Sequence, residues 1–344
     1  MDSLKQANAS YEAFTLDFKR PSGTSRGVLT QKKGWKLLLT DPDGTTGLGE
    51  CSVIPGLSPD YVSDEQYEQK LAEVCQNPFL FTQNPALLRD YPSILFGLES
   101  AWFDLLNGGR QIYFDSAKRP SGFNIPINGL IWMGDPGYMQ DQIEEKLDAG
   151  FTCIKLKVGA IDFKQELKLL EGIRSRYDAS KMILRVDANG AFTMEDVFWK
   201  LEELAQLNLH SIEQPIKAGS WNYMKVLCKK TPLPIALDEE LIGINETNRK
   251  ITLLETINPQ YIILKPSLHG GFSGTKEWIE LADKRKIPWW ITSALESNIG
   301  LNAIAQFTAN YNPTLPQGLG TGGLYETNFD APLRIEQGNL IYTR

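Results

Sequence analysis

The run CIKLKV, residues 153–158, sets Lys155 and Lys157 two positions apart in an apolar segment, and MILRVDAN (182–189) follows one helix-length later with Asp187 near its end. Residues i and i+2 of a strand point the same way, so the two lysines share one face while Ile154, Leu156 and Val158 take the other. The theme then recurs. LHSIEQP (209–215) carries Glu213, LPIALDEE (233–240) carries Asp238, and QYIILKP (260–266) carries Lys265. From Lys157 to Lys265 the intervals are 30, 26, 25 and 27 residues, about the length of one strand-plus-helix unit.

Parallel barrels repeat strand, loop, helix, loop and collect their functional groups at the carboxyl ends of the strands. Further runs extend the series: IPWWITSALES (287–297), LPQGLGTGG (315–323) and, upstream, a weaker first strand FNIPINGLI. Between them lie YMQDQIEEKLDAG, FKQELKLLEGIRSRY and EDVFWKLEELAQLNL, with apolar residues at i, i+3, i+4 and i+7. Eight strands alternating with helices predict an α/β fold with a barrel of roughly 200 residues.

Upstream the character changes. YEAFTLDF, GWKLLLTD, the turn PDGTTG and LGECSVIP read as a β-meander, followed by two helices, DEQYEQKLAEVCQ and PSILFGLESAWFDLLNG. The expected division is an α+β domain over 1–120, a barrel over 121–325 and a C-terminal segment, 326–344, returning to the first domain. The boundary falls near AKRPSGF (117–123). KRPSGTSRGVLTQKKG, between the first two strands, reads either as a solvated loop or as a mobile lid.

At 344 residues, with 42% apolar and 22% charged residues, the chain can bury a substantial core. A net charge of -7 argues against nucleic acid or an anionic membrane as partner. The N-terminal residues hold no apolar signal-like run, and no segment has the roughly 18–20 apolar residues that span a bilayer. Cys51, Cys75, Cys153 and Cys228 are scattered without CxxC spacing, which predicts reduced thiols and a cytoplasmic location.

Single acids at strand ends usually cap helices or meet surface bases. Asp187, Glu213 and Asp238 on three consecutive units are different, because like charges at one barrel mouth repel unless a cation neutralises them. An all-oxygen donor set suits Mg²⁺, with Mn²⁺ as substitute. Histidine occurs only as His210, expected at the far end of its strand, and His269, beyond Lys265 and able to line the pocket. Lysine is therefore the acid/base candidate, and its reference pKa near 10.4 must fall toward about 7–8 to serve as a base. Lys155 and a dication would push Lys157 that way.

In order, LGECSVIPGLS, KLKVG, RVDANGAF, IEQPI, ALDEEL, ILKPSLHGG and SALESNIGL resemble the enolase superfamily, in its muconate lactonizing enzyme subgroup, over nearly the whole chain. The resemblance implies a capping domain on a (β/α)7β modified TIM barrel. It also implies Mg²⁺ on Asp187, Glu213 and Asp238, with Lys157 and Lys265 on opposite faces of a small dicarboxylate substrate. The implied chemistry is removal of a proton next to a carboxylate. Lys157 would be general base and then acid, and Lys265 would stabilise the enediolate.

TSALESNIGLNAIAQF and QGLGTGGLYETNF are most similar to members that eliminate water from a succinyl-bearing hydroxycyclohexadiene carboxylate in menaquinone biosynthesis. Cycloisomerases, dipeptide epimerases and N-succinylamino acid racemases of the subgroup are the alternatives, and a barrel that binds metal and anion without turnover is one from another class. Dipeptide epimerases carry acids near the last strand, where this chain has none before Glu326. By position and resemblance, Lys155, Arg185, Asn189, Ser293, Glu296 and Arg26 are candidate substrate-binding or supporting residues.

Overall fold

The structure, a computed structural model, describes residues 6–24, 27–119 and 121–343. Strands β1 (Asn8–Thr24), β2 (Gly27–Thr40) and β3 (Thr46–Ser52) form an antiparallel sheet in that order. Asp41 builds the β2–β3 turn, its Oδ1 accepting from the Asp43 and Thr45 amides at 3.0 and 2.9 Å. The segment expected as a loop instead prolongs both β1 and β2, with an irregularity in pairing between Asp17 and Ser22. A two-stranded ribbon reaching beyond its sheet is covered only in part, so its sequence carries little alternation to read. Arg26 lies outside the described residues.

Helices α1 (Asp64–Gln76), α2 (Pro78–Gln83) and α3 (Pro92–Leu106) cover one face of this sheet. Trp35, Leu37 and Leu39 alternate inward from β2 to meet Leu71, Val74, Ile94 and Leu98 in a single apolar cluster. The α3–β3 contact requires glycine, because a Cβ on Gly49 would lie 1.9 Å from the Gly97 carbonyl oxygen and one on Gly97 2.3 Å from Cys51 Sγ.

The predicted first barrel strand divides into β4 (Phe123–Pro126) and β5 (Gly129–Ile131). There follow α4 (Pro136–Asp148), β6 (Cys153–Lys157), α5 (Phe163–Arg176), β7 (Ile183–Asp187), α6 (Val197–Ala205) and β8 (Ser211–Glu213). The series continues with α7 (Trp221–Lys230), β9 (Ile235–Leu237), α8 (Thr247–Ile257), β10 (Tyr261–Leu264), α9 (Gly271–Lys284), β11 (Trp289–Ile291) and α10 (Asn298–Ala309). β5 to β11 form one parallel sheet in sequence order. The expected eighth strand is present only as bridges, Gln317 beside Ile127 and Gly318 beside Thr292, and these join the sheet's two edges. Its glycines and Pro316 give too few pairing residues for a longer strand.

β4 turns away from the barrel and pairs with β13 (Asn339–Tyr342), itself hairpinned to β12 (Leu333–Glu336). Residues just before that hairpin lie against β1, with Tyr325 bridged to Phe18 and the Phe329 ring 5.1 Å from Phe14.

Register determines what meets at the mouth. Lys157 pairs with Asp187, Asp187 with Glu213, and Glu213 with Ala236, two residues before Asp238. Lys157, Asp187 and Glu213 therefore stand at one level of neighbouring strands, with Asp238 two residues beyond it on the next.

Two buried carboxylates tie the N-terminal part to the barrel. Glu50 on β3 accepts from Ser297 N at 2.9 Å, Ser297 Oγ and Gly300 N, and so caps α10. Glu99 on α3 accepts from the Phe272 and Ser273 amides at the start of α9, at 2.5 and 3.3 Å. Although part of Glu99's surface is accessible, its carboxyl lies among neighbouring atoms, and burial pushes it up to about 7. The folded state then holds this proton more tightly than the unfolded chain. Stability from this group is full below about pH 4.5 and declines as pH rises toward 7. Glu99→Gln should remove that slope, so that the variant gains about 1–3 kcal/mol relative to the parent between pH 5 and pH 8. Urea unfolding at the two pH values measures it; an equal difference at both would contradict the assignment.

Candidate active site

Asp187, Glu213 and Asp238 lie at the carboxyl ends of β7, β8 and β9, all buried. Like charges so placed need counter-charges. Lys155 supplies one, 2.9 Å from Asp187 Oδ2 and bonded also to Glu213 Oε2. Lys157 Nζ donates to Asp187 Oδ2 at 3.0 Å and to Asn189 Oδ1 at 2.6 Å. Lys265 donates to Asp238 Oδ2. Burial alone would lower the ammonium of Lys155, but Asp187 and Glu213 outweigh it and hold this lysine above its ordinary value. Burial likewise opposes ionisation of Asp187, yet Lys155 and Lys157 hold its carboxyl well below the usual range. Glu213 goes the other way: burial and the neighbouring Asp187 charge push it well up.

Neighbouring side chains keep this row in place. Gln214, left-handed at φ 38°, accepts the Asp238 and Glu240 amides on its Oε1 and donates to Glu240 Oε2 at 3.1 Å. Asn189, also left-handed at φ 44°, donates to Glu239 Oε1 at 3.0 Å. Polar amides tolerate this backbone region better than most side chains.

Among the described residues, no three acids or imidazoles stand close enough to grip an ion as the side chains are turned. The donor set nevertheless fits a hard dication. Glu213 Oε1 and Asp238 Oδ1 are buried and accept no hydrogen bond, which leaves two carboxylate oxygens on adjacent strands unsatisfied.

Above the row opens a cavity of about 180 Å³. Its charged end holds Lys155, Lys157, Asp187, Glu213, Lys265 and Asn189. Apolar lining comes from Val28 and Leu29 of β2, Ile54 and Leu57 after β3, and Leu130, Trp132, Ala294 and Leu295 of the barrel, with Asn128, Thr292, Ser293 and Thr321 among them. Sequence reading missed Trp132, whose ring lies 5.9 Å from Lys157 Nζ, and Gln214. The signal available for both was position, since each stands just beyond the end of a barrel strand.

The other candidates sit further off. Arg185 is buried, bonded through Nη1 to the Pro316 carbonyl at 2.7 Å and stacked 4.0 Å over the Trp290 ring, and it does not line the cavity. His210 packs on Tyr261 and Trp290, with burial and Arg185 lowering it to about 4. His269 lies behind Lys265 and not in the cavity wall, and its Nδ1 accepts the Lys265 amide at 2.9 Å. Burial lowers it to about 3, so it is neutral at working pH. Ser293 lines the cavity, but its hydroxyl donates to Glu296 Oε2 at 2.5 Å and accepts from Thr321 Oγ1 and Leu295 N. Glu296 is fully buried and braces that turn, accepting also from Ser267 Oγ and Ala294 N.

Three acids on consecutive strand ends, flanked by lysines and lying beneath an α+β cap, match a known class. The chain belongs to the enolase superfamily: residues 138–343 match the model of the Enolase C-terminal domain-like family. Among individual proteins, it is 48% identical to the o-succinylbenzoate synthase of Desulfotalea psychrophila, over 96% of this chain and 98% of that one. The crystal structure of MenC from that organism superposes with a TM-score of 0.85 at 44% identity, covering 98% of this chain and 99% of the other. A dipeptide epimerase from Cytophaga hutchinsonii, solved with Mg and D-Ala-L-Val, shares the fold, with a TM-score of 0.82 at 20% identity over 97% of this chain and 92% of that one.

The buried Lys265–Asp238 pair makes a stability test. In chelator, Lys265→Met should cost about 3–5 kcal/mol, because Asp238 loses its nearest counter-charge. The double variant Lys265→Met/Asp238→Asn should recover much of the loss. Urea titrations of the three proteins check this; a single variant as stable as the parent would show that the pair does not hold the site.

Proposed function

We propose that the chain is an o-succinylbenzoate synthase, which removes water from 2-succinyl-6-hydroxy-2,4-cyclohexadiene-1-carboxylate to give 2-succinylbenzoate. The observation that carries this is 48% identity to a protein of that activity along 96% of the chain. It is a hydro-lyase, and the site's geometry supports a role for each group.

Lys157 takes the proton from the ring carbon that bears the carboxylate. The electron pair left behind forms the new ring double bond as the C–O bond to the hydroxyl breaks. The Lys157 ammonium returns its proton to the departing oxygen, so one water leaves and the lysine is regenerated. Lys265, on a strand across the mouth, stabilises negative charge as it spreads onto the carboxylate. Asp187, Glu213 and Asp238 would hold Mg²⁺, or Mn²⁺ in its place. When bound, such an ion would supply positive charge near the substrate carboxylate. Asn189, hydrogen-bonded to Lys157, positions its Nζ, and Lys155 balances the acids.

The partner is thus a small dicarboxylate, and we place the enzyme in the cytoplasm on the strength of four free cysteines, three of them buried. The cation-rich β1–β2 ribbon, with Lys19 and Arg20 and with Arg26 in its sequence, is suited to an anionic substrate.

Conversion of the cyclohexadiene to 2-succinylbenzoate, followed by ultraviolet absorbance, tests the assignment. Faster racemisation of N-succinylamino acids, or faster epimerisation of dipeptides, would refute it. Chelation should abolish turnover and Mg²⁺ should restore it, with calorimetric Mg²⁺ binding lost in Asp187→Asn; binding unaffected by that change would remove the acids as ligands. Lys157→Ala should lower kcat by about 10²- to 10⁴-fold and stop exchange of the substrate α-proton with deuterium. Lys265→Ala should lose turnover yet still bind Mg²⁺. Exchange persisting in Lys157→Ala would exclude it as proton carrier.

A further inference from the structure

His269, one of only two histidines in the chain, is 2% exposed and has half of its hydrogen-bonding capacity unmet. Its Nδ1 accepts the Lys265 amide at 2.9 Å, so in the neutral ring the proton sits on Nε2 and points away from Lys265. That nitrogen is buried, and among the described residues no acceptor meets it. A buried donor left so needs a partner. The ring is absent from the wall of the active-site cavity but lines another, of about 340 Å³, at the seam where Arg89 and Leu95 of the cap face α8 and α9.

Two cations meet in this second cavity. Lys250 on α8 is 1% exposed and donates to Glu277 Oε2 at 2.5 Å and to the Gly274 carbonyl at 3.3 Å. Arg89 lines the same space, and its ion pair with Glu246 is 3.9 Å long with both side chains in solvent, a pairing that holds little. Burial lowers the Lys250 ammonium, Glu277 opposes that, and the charge of Arg89 adds to the lowering. Within the cavity two cations thus share one carboxylate. The amides that open α9 play no part, because Phe272 N and Ser273 N serve Glu99 and Gly274 N serves the Gly270 carbonyl.

We propose that this cavity is a second anion site, separate from the barrel mouth, which takes a small oxyanion, phosphate or carboxylate, with one oxygen on His269 Nε2 and the others toward Lys250 and Arg89. A dication would be repelled by the same groups, and a hydrocarbon would leave Nε2 unpaired. An acceptor on Nε2 also polarises the ring and strengthens the hold of Nδ1 on the Lys265 amide, so the site stands one imidazole away from a lysine of the mouth.

Having only two histidines makes the test direct. Inorganic phosphate and, separately, acetate are titrated into the full chain near neutral pH at constant ionic strength, while both imidazoles are followed in ¹H–¹⁵N spectra. The His269 Nε2–H signal should move downfield along a saturating curve with His210 unmoved, and whichever anion produces the shift identifies the chemistry of the source. Arg89→Ser, a change at the solvent edge, should unfold as the parent does yet bind about 10-fold more weakly, and Arg89→Glu should not bind. An anion lodged at the mouth would be indifferent to Arg89, so undiminished binding in Arg89→Glu overturns the site. So does a His269 signal that neither anion moves, which leaves water as the partner of Nε2, or one that moves only in step with His210.

Discussion

Three carboxylates withdrawn from water at one level of adjacent strands repel one another, and the architecture of the mouth is organised around their neutralisation. Parallel register brings Asp187, Glu213 and the Ala236–Asp238 end of β9 together, and the same register brings Lys157 alongside. Each lysine amine in the row sits on an acid. Unpaired buried charge costs several kcal/mol per ion, so neither set would be tolerated without the other. The pairing is still incomplete, since Glu213 Oε1 and Asp238 Oδ1 have no donor. The protein is thus self-compensated enough to fold, yet retains the oxygen donors a dication requires.

The second organising constraint is backbone geometry just past the strand ends. Asn189, Gln214 and Leu295 are all left-handed, each at the start of a loop leaving the mouth. The first two use amide side chains to tie neighbouring loops, Asn189 to Glu239 and Gln214 to Glu240. A rigid rim follows, on which ammonium groups and carboxylates keep fixed distances. Charge is gathered at the strand ends, and apolar surface comes from the cap, the end of β5 and the loop after β11.

Much of this was legible in the chain because it is periodic. Strand-plus-helix spacing located Lys157, Asp187, Glu213, Asp238 and Lys265, and alternation correctly put Lys155 and Lys157 on one face. Periodicity was silent where structure lacks it. FNIPINGLI reads as one strand, yet its first half serves a different sheet, because the partner of β4 is a hairpin more than 200 residues away. The β1–β2 ribbon is covered only in part and so carries little pattern. Arg185 shares a strand face with Asp187, but depth along the axis is not encoded in alternation, and its guanidinium lies over Trp290 instead of reaching the cavity. The engagement of the Ser293 hydroxyl depended on Glu296 and Thr321 folding back on it, which no local spacing announces.

Glu50 has one more consequence. A fully buried carboxylate on the cap's third strand receives three hydrogen bonds from the first turn of a barrel helix, and glycine-to-backbone packing fixes α3 against that same strand. Swinging the cap as a body would strip the carboxylate of its donors while it remained shielded from water. This contact therefore holds the cavity wall that Ile54 and Leu57 contribute in register with the strand ends of the barrel.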